Sequence, residues 1–119
     1  MAIDPNILKE KEERIRRLKA HVETLYGEVT NAGANERKDL LREIHDAHIA
    51  MAALLEEIDG DLLERAMAMQ GAAIAGRQAD MQDEATNAAK KFLELVRALE
   101  QIDLTWEIEQ MEQIVEGSP

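Results

Sequence analysis

The stretch LLREIHDAHIAMAALLEEID, residues 40–59, repeats apolar side chains at helical spacing along two adjacent lines. A helix with one narrow apolar line packs against one neighbour, whereas a wide apolar face needs more than one. This stretch therefore predicts a helix inside a bundle. The two lines share Ile44, Met51 and Ile58; the first adds Leu41, His48 and Leu55, and the second adds Leu40, Ala47 and Leu54.

The flanking residues predict where helices begin and end. Asp4 and the proline after it predict the start of a first helix, because a carboxylate can accept a free backbone N–H and proline fits the first helical position. Gly33 and Asn35 predict a stop and a new N-cap, as do Gly60 and Asp61. We expect one helical domain over residues 1–119, with helices at about 5–31, 35–58, 61–79 and 84–116.

The topology depends on the polar segment GRQADMQDEATN, residues 76–87, which has no strong helix breaker after Gly76. A loop near residues 80–84 gives an all-α, up-and-down antiparallel four-helix bundle. Without that loop, the chain is a three-helix arrangement with one long third helix that dimerises. Charge favours four helices, because six basic residues lie between Lys9 and Lys19 and none follows Arg97. The acidic last helix would then pair with the basic start of the first, within one chain or across an antiparallel dimer.

Composition narrows the functional class. The 119 residues carry a formal net charge of -11, which disfavours nucleic acid and anionic membrane surfaces, since both normally bind a basic patch. The absence of cysteine excludes disulfides and thiolate metal sites. The longest apolar run, residues 49–55, is far shorter than the roughly 20 residues of a membrane span. We expect a cytoplasmic protein that binds neither nucleic acid nor membrane.

Sequence motifs for catalysis and metal binding are missing. Ser118 is the only serine, and there is no glycine-rich phosphate loop, which argues against nucleophilic hydrolysis and nucleotide binding. His21, His45 and His48 could in principle meet a metal, but none follows a glutamate by three positions, as di-iron bundles require. We place His48 at the edge of the core and the other two on polar flanks. The expectation is a protein without enzymatic activity, metal or cofactor.

The C-terminal segment ALEQIDLTWEIEQMEQIVEG, residues 98–117, has more apolar side chains than one seam requires. Its charged residues are all acidic, and it holds the only tryptophan. Tryptophan often anchors protein interfaces, and carboxylates steer a basic partner. The segment therefore predicts a partner-binding surface, with the alternative that the tryptophan fills the end of the bundle. The predicted surface consists of Leu99, Ile102, Trp106, Glu109 and Met111.

The leucine-rich helix at residues 40–59, with its LLEEID ending, resembles the second helix of BAG domains. These are three-helix modules that bind the ATPase domain of heat-shock chaperones. The resemblance implies a third helix that ends near an aspartate, here Asp103. It also implies a basic pair about fifteen residues earlier, where this chain has Ala88 and Ala89. A BAG-like co-chaperone is accordingly one alternative function.

Together these patterns favour a non-enzymatic protein–protein interaction module, such as an adaptor, a small chaperone or a subunit of a complex. We expect it to use apolar helix faces and the acidic C-terminal helix, to bind a basic protein partner and to form a homodimer. The alternative is a structural protein that self-associates through coiled-coil-like seams.

Overall fold

The computed structural model describes residues 4–99 and 103–117, and these residues form five α-helices. No strand occurs within the two ranges, which confirms the predicted all-α class. None of the helices in these ranges is long and apolar enough to cross a membrane. The helices are α1 (Pro5–Thr30), α2 (Ala34–Glu57), α3 (Leu62–Gln78), α4 (Gln82–Val96) and α5 (Thr105–Glu116).

Two aspartates begin helices, as the sequence predicts. The carboxylate of Asp4 accepts the backbone N–H of Asn6 at 2.8 Å, and Pro5 occupies the first helical turn. The carboxylate of Asp61 accepts the N–H of Leu63 at 2.7 Å. Each bond satisfies one of the N–H groups that a helix leaves unpaired at its start. The starts of α1 and α3 are therefore set by local chemistry that is visible in the sequence.

Helices α2 and α3 end in turns of the same type, and in each turn an aspartate takes the left-handed position. Asp59 has a φ of 52° and Asp80 a φ of 62°. The next residue, Gly60 or Met81, donates its N–H to the carbonyl five residues back, at 2.7 and 2.8 Å. This bond identifies a Schellman motif. Gly60 therefore does not take the left-handed position, and the single long third helix is wrong, because the chain turns at Asp80.

The turn between α1 and α2 also differs from its prediction. Asn31 ends α1 with its N–H directed at the carbonyls of Glu28 and Val29, so no left-handed glycine is needed. Gly33 is instead extended, with φ -73° and ψ 171°, and it is the residue that precedes α2. Asn35 consequently lies inside the first turn of α2 and is not its N-cap.

The predicted helix over residues 84–116 is two helices, so the four-helix bundle is not confirmed. A continuous helix of that length would extend for about 50 Å, whereas the 17 residues of α3 span about 26 Å. Its far half would leave Leu104, Met111 and Ile114 in water. In the structure α5 turns back against α4 and α3, and these three side chains are 9%, 0% and 1% exposed. The segment is divided because this arrangement buries apolar surface, and not because of a local helix breaker.

Helices α2 and α3 each pack against more than one other helix. Helix α2 packs against α1 and α3, which confirms the wide face predicted for it, and α3 packs against α2, α4 and α5. Small side chains let the backbone of α3 approach its three neighbours closely. The buried residues of α3 are Ala66, Ala68, Ala72, Ala73, Ala75 and Gly76.

Helix α1 lies along α2 and not along α5. Among the described residues, the close backbone contacts of α1 with another helix are all with α2. Lys11 Nζ lies 2.7 Å from Glu57 Oε2, and Lys19 Nζ lies 3.5 Å from Glu64 Oε1. The predicted pairing of the basic start of α1 with the acidic C-terminal helix of the same chain is therefore wrong, because α5 folds back on the opposite side of the molecule, against α3 and α4.

Candidate protein-binding surface on α5

Helix α5 is fixed to the rest of the protein by one face. Leu104, Met111 and Ile114 belong to a buried cluster that also includes residues of α3 and α4. At the start of α5, the carboxylate of Asp103 accepts the hydroxyl of Thr105 at 2.8 Å and its backbone N–H at 3.1 Å. These two hydrogen bonds hold the pKa of Asp103 below its ordinary value. The opposite face of α5 is thus presented to solvent on a helix held in place.

That solvent face combines a tryptophan with carboxylates. Trp106 is 65% exposed, the largest value among the exposed large apolar side chains of the described residues. Side chains three, seven and ten positions later share its side of a helix with 3.6 residues per turn. These are Glu109, Gln113 and Glu116, which are all exposed, and Glu112 is exposed beside them. We call Trp106 and these four residues the α5 surface.

The carboxylates of the α5 surface form no ion pair within the described part of the chain, although Arg97 lines a shallow cavity with Glu112. Glu109, Glu112 and Glu116 form no ion pair with a described residue. The sequence has no lysine or arginine after Arg97. The negative potential of this face therefore remains available to a cation from outside the chain.

Unlike the carboxylates of the α5 surface, most basic residues of α1 form ion pairs within the chain. Glu13 accepts a hydrogen bond from Arg16 and lies 3.6 Å from Arg17, and the Arg16 hydrogen bond and charge lower the pKa of Glu13. Lys11 likewise lowers the pKa of the Glu57 carboxyl, first through its hydrogen bond and then through its charge. Most of the positive charge of α1 is therefore neutralised within the chain, whereas the negative charge of α5 is not.

The structure describes four of the five residues predicted for a partner surface and places them in three different environments. Trp106 and Glu109 are exposed on one side of α5, and Leu99 is half-buried against the core. Ile102 lies outside the described residues. Met111 is 0% exposed on the opposite side of the helix, so it belongs to the core and not to the exposed face.

Sequence reasoning missed Glu112, Gln113 and Glu116. In one continuous helix over residues 84–116, Trp106 continues the apolar line of Leu99 and Ile102, so the polar residues about two and three turns beyond it have no predicted role. Had the buried face been centred on Met111, the 3.6-residue period would have identified all three.

An apolar groove of about 280 Å³ lies where α1, α2 and α3 meet, away from the α5 surface. Methionine and leucine side chains form most of it, and its polar groups are one imidazole and the Lys19–Glu64 ion pair. No group of three or more potential metal ligands occurs among the residues that the structure describes. The lining residues are Lys19, His48, Met51, Leu55, Leu63, Glu64, Met67 and Ala68.

The three histidines have three degrees of exposure. His21 is exposed on α1 and His48 is half-buried at the edge of the groove, as the sequence predicts. His45 is only 5% exposed, so its predicted place on a polar flank is wrong. The reason is local, because Gly76 of α3 lies against the His45 ring and leaves room for it.

Comparison with protein-family models, with curated proteins and with solved structures finds no match for this chain. The resemblance to BAG domains implies a third helix that ends near Asp103. Helix α4 ends earlier, at Val96, and the carboxylate of Asp103 caps the start of α5.

Proposed function

We propose that this chain is a non-enzymatic protein-binding module whose α5 surface holds a basic amphipathic helix of a partner protein. One observation carries the proposal: Trp106 is 65% exposed beside three carboxylates that form no ion pair with a described residue. The helix that presents them is anchored by its other face, so the surface needs little ordering when a partner binds.

Trp106 supplies the apolar part of the binding energy. A partner that covers the exposed part of the indole removes on the order of 100 Å² of apolar surface from water, which contributes about 2–3 kcal/mol. Residues of this type are enriched among those that dominate binding energy at protein interfaces. The partner therefore needs an apolar side chain opposite Trp106.

The carboxylates determine which partner approaches. Exposed charges of one sign raise the association rate of an oppositely charged partner and repel acidic ones, and salt screens both effects. Glu109 and Glu116 lie along the same side of α5 as Trp106, two turns apart. A helical partner with lysines or arginines at similar spacing, beside an apolar residue, matches this pattern.

The test uses Trp106 as its own reporter, since it is the only tryptophan in the chain. The protein is titrated with three synthetic peptides: an amphipathic helix of leucine and lysine, the same helix with glutamate in place of lysine, and a scrambled lysine peptide. We expect saturable blue-shifted fluorescence with the first peptide alone, weakened by added salt. Equal binding of the glutamate peptide would refute the proposal.

Charge-reversal variants distinguish binding to the α5 surface from a general effect of the protein's net charge. The variant Glu109→Lys, Glu112→Lys, Glu116→Lys should lose the basic peptide. A matched control reverses three exposed glutamates on α1 and α2 and changes the net charge equally. If the control loses the peptide to the same extent, only the overall charge matters. The control positions are Glu23, Glu28 and Glu43.

Self-association through α1 is a second candidate function. Ile7 and Tyr26 are 48% and 42% exposed at the margins of the seam that packs on α2. A second copy that covers both would extend the apolar contact along α1. Light scattering over a range of concentrations measures this directly, and a monomer mass at every concentration would remove the candidate.

A further inference from the structure

Two imidazole rings of α2 fit against two glycines of α3. A Cβ atom at position 71 would lie 2.5 Å from Nε2 of His48, and a Cβ atom at position 76 would lie 3.2 Å from Cδ2 of His45. The first distance is shorter than any ordinary contact, so a side chain at position 71 would displace the His48 ring from its observed position. The α2–α3 contact is therefore built around the two rings.

Each ring has one buried nitrogen without a hydrogen-bond partner: Nε2 of His45 and Nδ1 of His48. A neutral imidazole tolerates this, because one of its nitrogens carries no proton. An imidazolium has two N–H donors. His45 directs Nδ1 at Oδ1 of Asp46, 3.0 Å away. At His48, in contrast, an imidazolium would hold a buried donor at Nδ1 without an acceptor.

The charged groups around the His48 ring offer little compensation for a proton. On one side, Lys19 of α1 and Glu64 of α3 line the groove with His48, but they pair with each other at 3.5 Å. On the other side, a carboxylate and an ammonium group of α4 line a shallow cavity with His45. The α4 groups are Glu84 and Lys91.

The rings lie in the contact between α2 and α3, which joins two groups of helices. One buried cluster joins α3, α4 and α5 around Phe92, whereas the large buried side chains of α1 and α2 pack mainly on each other and meet Ala75 and Ala79 of α3. The sequence has no histidine after His48. We call α1 and α2 the hairpin, and α3 to α5 the C-terminal unit.

We propose that the α2–α3 contact is an acid-sensitive switch. When His48 binds a proton, the contact opens, and the hairpin separates from the C-terminal unit while both stay helical. Opening exposes Met51 and the other apolar side chains that line the groove. The switch is independent of the function proposed for the α5 surface.

The direction of the pH effect follows from burial. Burial lowers the pKa of His48 below its ordinary value of 6.5, and the nearby His45 lowers it further. An open form in which the ring is hydrated binds a proton more readily than the closed form. The closed form therefore has its full stability above about pH 6.5 and loses stability as the pH falls below that value. For each proton taken up, the opening equilibrium shifts about tenfold per pH unit.

The test measures the distance between the hairpin and the C-terminal unit in the full-length protein. Because the chain has no cysteine, Ala53→Cys on α2 and Lys90→Cys on α4 place two spin labels at exposed positions. As the pH falls from about 7.5 to 5.5, we expect a second and longer distance to appear reversibly, with an opening equilibrium that shifts about tenfold per pH unit below about pH 6.5. A reference pair at Lys90 and Glu112 should keep its distance.

Glutamine variants identify the groups responsible. The double variant His45→Gln, His48→Gln cannot bind the proton and should stay closed, whereas His21→Gln, at an exposed position, should open like the wild type. If the double variant fails to fold, the NMR titration of the wild-type imidazoles decides, because the His48 signal must titrate over the range in which the distance changes. The proposal is overturned if no longer distance appears, if a folded double variant opens, or if the reference pair lengthens too.

Discussion

The hairpin and the C-terminal unit bury their apolar surfaces with different side chains. In the hairpin the buried residues are mostly large aliphatics, for example Ile15, Leu25 and Ile44, which interlock between two long helices. In the C-terminal unit six buried alanines surround Phe92 and let the backbones approach closely. Large side chains separate helices by filling the space between them, whereas alanines bring the helices together.

This difference predicts which substitutions destabilise each half. A large aliphatic residue contributes through its own burial, so the hairpin should lose stability when such a residue is replaced. A small residue contributes by the room it leaves, so the C-terminal unit and its contact with α2 should lose stability when a side chain is added. The two kinds of substitution test the comparison from opposite directions.

The largest expected effect is a charge placed in the hairpin. Met51 and Leu55 are each 4% exposed on α2, so Met51→Asp or Leu55→Asp buries a carboxylate without a partner. Such a group costs several kcal/mol, which approaches the entire stability of about 5–15 kcal/mol for a small domain. We expect both variants to be unfolded at 25 °C by circular dichroism. Glu12→Ala, at an exposed position, should melt like the wild type, and cooperative melting of both core variants would contradict the assigned packing.

The same difference explains how much of the fold the sequence predicts. In the hairpin, aliphatic residues at three- and four-residue spacing mark one face, so α1 and α2 and the width of the α2 face are predictable. Asp4 and Asp61 are equally readable, because their capping bonds are local. Asp80 is not, since an aspartate takes the left-handed position only when the following helix has a surface to pack on. The start of α5 depends in the same way on burial of Leu104 against distant residues.

The candidate site was partly predictable for a related reason. Composition alone identifies an acidic segment with one tryptophan, which is why Trp106 and Glu109 could be named. Which residues share the exposed face depends on the rotation of α5 about its axis, and that rotation is fixed by contacts with α3 and α4. Met111 and Glu112 are neighbours in sequence, yet one is buried and the other is exposed.

A pair of glycine substitutions gives the next effect in size and sharpens the comparison. Gly27 of α1 has nothing within 4 Å of an added Cβ, so Gly27→Ala should stabilise the protein by about 0.5–1 kcal/mol through helix propensity. The same change at Gly71 of α3 meets the His48 ring at 2.5 Å. We expect Gly71→Ala to destabilise by about 1–3 kcal/mol despite its better propensity. Thermal and urea unfolding measure both.

Removal of the His48 ring tests whether that ring causes the destabilisation by Gly71→Ala. If the clash with His48 is responsible, Gly71→Ala should cost much less in a His48→Ala background, and the double-mutant cycle should give a coupling energy of about 1 kcal/mol or more. Stabilisation by Gly71→Ala in the wild-type background would mean that the ring moves aside freely, and that the α2–α3 contact is not built around it.

The smallest effect on stability accompanies the last prediction, which concerns where the hairpin lies. Lys11 and Glu57 pair at 2.7 Å, but both are partly exposed, so loss of the pair should hardly change the melting temperature. Their proximity is nevertheless testable, because a short bis-maleimide should join cysteines at positions 11 and 57 within one chain. Cysteines at 11 and 112 should not react within a monomer, since α5 packs on α3 and α4. A rapid intramolecular link between 11 and 112 would place α5 along α1 and contradict the packing of both halves. A link that yields only dimers would show instead that the basic and acidic ends meet between two copies.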